Sequence, residues 1–140
     1  AWDHHWGIFP HLDKQLPIYD NSYSALLNDL DDRGLLETTL VITAGEFGRT
    51  PGFNKDKRGP GRDHWNRCFS LTLGGGGVQT GRVIGASDKH GAVPADRPVS
   101  VADFAATVYH TIGLDPKAEY MAQGRPMRVL PDGAVVKELF

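Results

Sequence analysis

The chain has 140 residues, 40% of them hydrophobic and 23% charged, with 15 Lys and Arg against 17 Asp and Glu for a net charge of −2. This is the composition of a soluble globular domain, and it excludes collagen-like, coiled-coil and fully disordered chains. The charge balance gives no general attraction to nucleic acid or to an anionic membrane, and no apolar run approaches the ~20 residues of a membrane span.

In chain order, the first predicted helix covers about 21–33. Asn21 or Ser22 can cap it, Leu26, Leu27 and Leu30 form an apolar stripe, and Gly34 stops it. The β-branched run Thr39–Thr43 reads as a buried strand, expected to be parallel because a helix precedes it and both faces read as covered. From Gly45 to Arg67 the chain is rich in Gly, Pro, Asn, Asp and basic residues and has no period, so a long functional or disordered loop is predicted. A second strand runs from Cys68 to Leu73. Cys68 is the chain's one cysteine, which excludes an internal disulfide and a cysteine-based zinc cluster.

The four glycines Gly74–Gly77 follow that strand without opening a helix, so they read as a turn and not as a phosphate cradle. Arg82–Ile84 is a short third strand. Ser100-Val101-Ala102-Asp103 is a capping box opening a helix that carries Phe104, Val108, Tyr109 and Ile112 and is closed by Gly113. Met127–Leu130 is a last strand. This alternation of helices and strands predicts an α/β layered fold with a largely parallel sheet.

Three places gather the residue types that metals and acid–base chemistry use. In Trp2-Asp3-His4-His5-Trp6, the i, i+2 spacing puts Asp3 and His5 on one side of an extended chain, with His4 facing away. Gly45-Glu46-Phe47-Gly48-Arg49-Thr50-Pro51 follows the Thr39 strand, where open α/β sheets bind ligands. Gly61-Arg62-Asp63-His64-Trp65 lies deep in the long loop. Each has a plainer reading: a solvated Asp–His pair, Glu46 capping a turn, Arg49 as a surface charge, and His64 as a structural residue bonded to Asp63. The chemical reading makes Asp3, His5, Glu46 and His64 ligands of a divalent ion and Arg49 an anion clamp. His11, His90 and His110 are read as non-functional.

Together these three segments, with Arg97–Asp103 and Gly113-Leu114-Asp115-Pro116, resemble the bacterial family called domain-of-unknown-function 1501 over almost the whole chain. That family is similar to the alkaline phosphatase and sulfatase superfamily, which hydrolyses or transfers phosphate and sulfate esters at one or two divalent metals. The resemblance implies a single domain over 1–140, the carboxyl-terminal portion of a larger alkaline-phosphatase-like sandwich around a mostly parallel sheet. It makes Asp3 and His5 one metal's Asp–His pair and His64 the later ligand that completes the shell. Glu46 matches the acid after the strand, with Phe47 standing where a histidine is expected.

The divalent metal implied is zinc, manganese or calcium. Arg49 would neutralise the transferred group, Glu46 would bind an ion or act as base, and Asp63 would orient His64. The nucleophile belongs to an amino-terminal half not contained in this chain. The substrate implied is a small-molecule or carbohydrate ester, with no nucleic acid and no membrane span, and the localisation is periplasmic or cell-surface. The alternative expectation is a non-catalytic, metal-stabilised binding module at the cell surface.

Overall fold

A longer first helix than the leucine stripe predicts runs along the molecule. The computed structural model describes residues 2–140 and places α1 at Ile8–Asp32, 25 residues. Two prolines mask its first half in the sequence. Pro10 falls in the first turn, where its missing N–H has no helical partner to lose, and Pro17 gives up one interior hydrogen bond. Leu12, Leu16, Tyr19, Tyr23, Leu27 and Leu30 recur at helical spacing on one face. The helix closes with Gly34 N–H on Asp31 O (2.8 Å) and Leu35 N–H on Leu30 O (2.8 Å).

After a 3₁₀ turn at Leu36–Thr38 come β1 (Val41–Ala44), β2 (Gly48–Arg49), β3 (His64–Trp65), β4 (Leu71–Gly74), β5 (Ala86–Ser87) and β6 (Pro94–Asp96). Then follow α2 (Val101–Thr111), β7 (Glu119–Ala122), β8 (Arg125–Arg128) and a last 3₁₀ turn at Lys137–Leu139. The described strands pair as four two-stranded antiparallel ladders, β1 with β4, β2 with β3, β5 with β6 and β7 with β8.

These ladders overturn the expected layered sandwich with a mostly parallel sheet, and with it the partial alkaline-phosphatase-like fold. The reason lies in the connection between β1 and β4. A parallel pair needs a crossover, usually a helix, and this stretch carries only the β2–β3 ladder before the chain returns. β4 therefore runs back along β1, Val41 opposite Gly74 and Ala44 opposite Leu71. Thr43 and Thr72 face α1, where Tyr23 Oη meets Thr72 Oγ1 at 3.4 Å. The predicted strand at Arg82–Ile84 is irregular, and pairing begins two residues later at Ala86. Gly75 is wedged against Thr39 O and Leu36 O, so a Cβ there would collide with backbone, which explains the glycine run as a tight turn.

The capping box is present in full at α2. Ser100 Oγ accepts from Asp103 N–H, and the Asp103 carboxylate accepts from Ser100 N–H. Asp103 also accepts from Ala134 N–H at 2.8 Å, and Thr107 Oγ1 accepts from Val136 N–H at 3.0 Å. The carboxyl-terminal segment is thereby pinned across α2, and Ala106, Thr107 and Val136 are among the most buried of the described residues. Arg97 closes the strap by gripping Glu138 with two N–H···O bonds of 2.5 and 2.9 Å.

Elsewhere the core is thin. No α1 residue is buried, and Ile18, Phe9, Leu16 and Leu26 stand about half exposed or more. The accessible surface is 10009 Å², against about 7,100 Å² expected by size scaling for a folded monomer of 15.3 kDa. Exposed apolar side chains such as those of α1 favour association. Light scattering across a size-exclusion peak is expected to give more than one copy per particle at micromolar concentration. A sharp monomer peak that binds no hydrophobic dye would contradict this.

The Arg97 guanidinium holds the Glu138 carboxyl down from 4.5 to about 2. A depressed acid stabilises the fold above its unfolded value and loses that contribution as pH falls through its folded value. The difference in Tm between wild type and Glu138→Gln is therefore expected to stay constant above pH 4.5 and to vanish as pH falls through about 2. A difference that persists at the acid end would place the strap's stability elsewhere.

Candidate metal centre

The amino-terminal segment and the long loop meet backbone to backbone. Gly7 N–H donates to Gly59 O (3.3 Å), Ile8 N–H to Pro60 O (3.0 Å) and Arg62 N–H to His4 O (3.1 Å). Asn54, inside the loop, fastens the junction from its side chain. Its Nδ2 donates to His5 O at 2.7 Å and to Asp63 Oδ1 at 3.2 Å, and its Oδ1 accepts from Gly61 N–H at 3.1 Å. The β2–β3 ladder then sets Arg49 opposite His64.

This junction gathers three of the sequence-predicted ligands. One ligand atom each from Asp3, His5 and His64 lies within 4.8 Å of the others. Asp3 Oδ1 is the focus: His64 Nε2 stands 2.9 Å away, His5 Nε2 3.1 Å, and an Arg49 NH2 donor 2.7 Å. Bonds from His64 first and Arg49 next hold the Asp3 carboxyl down from 3.8 to about 2. Arg49 also donates to Trp2 O and Arg62 O, both at 3.2 Å, so it braces both segments.

Asp63 bonds His5 rather than the expected His64. His5 Nδ1 lies 2.7 Å from Asp63 Oδ1, and that bond lowers the Asp63 carboxyl's proton affinity. The second ring nitrogen of His5, Nε2, is left facing Asp3. This is the carboxylate–histidine arrangement that orients a metal-ligating imidazole. His64 is oriented instead by Phe47, whose ring packs against it at 4.1 Å between centroids. Glu46 is exposed and stands outside the cluster of ligand atoms. His4 faces away and is buried, with Nε2 at 2.7 Å from Gln15 Oε1 and its ring stacked on His11 at 4.9 Å.

Two imidazole nitrogens and a carboxylate oxygen converge at partly exposed positions, a donor set of the kind that could hold a divalent ion. Sequence spacing could not show Asn54, because an asparagine in a Gly- and Pro-rich loop reads as a turn residue and its three partners are fixed only by the junction.

The model of one protein family matches residues 1–140, the family described as "Protein of unknown function (DUF1501)". The chain belongs to that family. No curated protein matches it, and no solved structure does.

Gly61 is buried at the point where the loop crosses His5. A Cβ there would overlap the His5 carbonyl and the Trp6 nitrogen, both backbone atoms that cannot swing aside. Gly61→Ala is expected to destabilise the chain by about 2 kcal/mol or more. Thermal denaturation followed by circular dichroism measures it, and an unchanged Tm would show that the two segments are not held this closely.

Proposed function

We propose that this chain carries a metal-dependent hydrolytic site for phosphate or sulfate esters. The observation that carries the reading is the convergence of Asp3, His5 and His64 on one point, with the Arg49 guanidinium on the same carboxylate oxygen. The link to alkaline phosphatases and sulfatases rests on the motif resemblance. A bound divalent ion supplies Lewis acidity toward an ester oxygen and lowers the pKa of an attacking group.

The chain's own residues do the rest. Asp3, His5 and His64 would hold the ion, Asp63 fixes the His5 ring through Nδ1, and Phe47 fixes the His64 ring. Arg49 stands where it can neutralise charge on the transferred group, and its carbonyl contacts to Trp2 and Arg62 preorganise it. Glu46, exposed and outside the ligand cluster, is assigned the general base. The substrate class is a small-molecule or carbohydrate ester, and the site of action is the periplasm or cell surface, as the family resemblance implies. The exposed apolar residues of α1 support a further part of this reading: a completing amino-terminal portion of the domain would cover them and bring the nucleophile.

A second reading is favoured by one contact. Phe47 lies against His64 where a further nitrogen ligand is expected, which suits a non-catalytic, metal-stabilised binding module at the cell surface.

Elemental mass spectrometry on the chain purified without chelator is expected to find about one zinc or manganese per copy, lost in His64→Ala while circular dichroism stays the same. Joined to the amino-terminal portion that would bring the nucleophile, the chain should hydrolyse aryl phosphate or aryl sulfate only with the added ion, and His64→Ala should lower that rate by about 100-fold or more. A folded wild-type chain without affinity for either ion would overturn the metal site. Metal binding that raises Tm, with no hydrolysis even when that amino-terminal portion is present, would select the second reading.

A further inference from the structure

The loop that supplies His64 carries far more positive charge than one ester needs. Between 49 and 67 stand Arg49, Lys55, Lys57, Arg58, Arg62 and Arg67 against only Asp56 and Asp63, a local charge of +4 in a chain of net −2. Arg49 is engaged by Asp3, and Arg58 is taken up by Asp56 through two bonds of 2.9 Å. Lys55, Lys57, Arg62 and Arg67 make no ion pair among the described residues, and Lys55, Lys57 and Arg67 are exposed.

A run of charge is ordinarily a solvated face, but here the arginines are held in place. Arg58 lies over Trp6 at 3.5 Å, Arg62 over Phe53 at 4.5 Å, Arg67 over Trp65 at 5.5 Å and Arg49 over Phe47 at 5.8 Å. Such pairs occur roughly once per 70–80 residues in proteins, so four around a single loop is a concentration. A guanidinium stacked on a ring keeps its in-plane N–H donors free and has already lost the rotamer freedom that binding would otherwise remove. Trp65 is itself pinned, its Nε1–H donating to Ala92 O at 2.7 Å.

We infer that this loop is a docking surface for a flexible polyanion, one that carries sulfate or phosphate groups repeatedly along a non-aromatic backbone. The inference rests on the proposed hydrolytic site as the place where one such group reacts. The metal-ligand cluster and Arg49 suffice for that group, and the unpaired cations match its neighbours along the chain. Single-stranded nucleic acid fits less well, because the ring faces that would stack on bases are occupied by guanidinium groups.

The test is binding of fluorescently labelled dextran sulfate and of long-chain inorganic polyphosphate to the full chain in the presence of chelator. Both are expected to bind, the tighter one identifying the preferred group, while neutral dextran does not. Arg62→Gln/Arg67→Gln should weaken binding about tenfold. Lys55→Gln/Lys57→Gln, which touches no stacked pair, should also weaken it and reduce the slope of log affinity against log salt by about one to two. Because binding is read in chelator, with no ion held by the cluster, a failure of the metal site leaves this result intact. Absence of salt-dependent binding, or wild-type affinity in both double variants, would overturn the inference. Equally tight binding of a single-stranded oligonucleotide would overturn it in favour of nucleic acid.

Discussion

The contact on which the rest of the site depends is the close crossing of two irregular backbones, residues 4–8 over residues 59–62. Three main-chain hydrogen bonds and the three bonds of Asn54 hold it, and Gly61 alone leaves room for it. Closing a loop of more than fifty residues has an entropic cost that grows only slowly with its length, so a handful of well-made polar contacts can sustain it. Once the crossing exists, Asp3 and His64 lie within hydrogen-bond reach although 61 positions separate them. The i, i+2 spacing of Asp3 and His5 and the β2–β3 register then place the remaining groups.

Charge organises what the crossing assembles. A single carboxylate oxygen of Asp3 faces two imidazoles and a guanidinium, while Asp63 faces the outer nitrogen of His5. Each acid is held ionised by its donors, and each donor is held in position by its acid. Because these groups are largely exposed, their mutual attraction is screened by water and salt, and it contributes more to position than to stability. Asp3, His5 and His64 would hold a cation with ligand atoms that these bonds have already gathered, which is what preorganisation of a ligand set means.

The parts of this arrangement that were legible in the sequence are those fixed by short-range chemistry. The capping box at Ser100–Asp103 could be read because both partners sit three residues apart, and α2 follows it as expected. Asp3, His5 and His64 could be picked out as candidate ligands from residue type and local spacing, and the junction brings the three side chains together. What was not legible depends on which segments meet. The apolar run at Thr39–Thr43 looks the same in a parallel and in an antiparallel pair, and only the absence of a crossover helix before Leu71 decides between them. The first half of α1 carried Pro10 and Pro17, local signals against a helix that its apolar face overrides. Asp63 offered two histidine partners, and Asn54, bonded to both His5 and Asp63, holds it toward His5. The pairing of Arg58 with Trp6 is likewise tertiary, since the two come from opposite sides of the crossing, whereas Phe47–Arg49 and Trp65–Arg67 stand two residues apart.

The uneven distribution of packing gives these facts a common consequence. Buried apolar residues are few, and those described lie with Val78 and around α2, not beneath the metal-ligand cluster. The cluster is therefore held by polar stitching between loops rather than by a core, and such regions open locally at lower free energy than the strands and helices that surround them. Whatever binds the closed form stabilises it in proportion to the logarithm of its concentration over its dissociation constant. A divalent ion bridging Asp3, His5 and His64 would tie the amino-terminal segment to the loop, and a polyanion spanning Arg62 and Arg67 would tie the loop to itself. Each would leave the other less order to impose, so the two should bind with positive cooperativity even without direct contact. On this view the thin core beneath the site is what allows ligand binding to act as the final step of its folding.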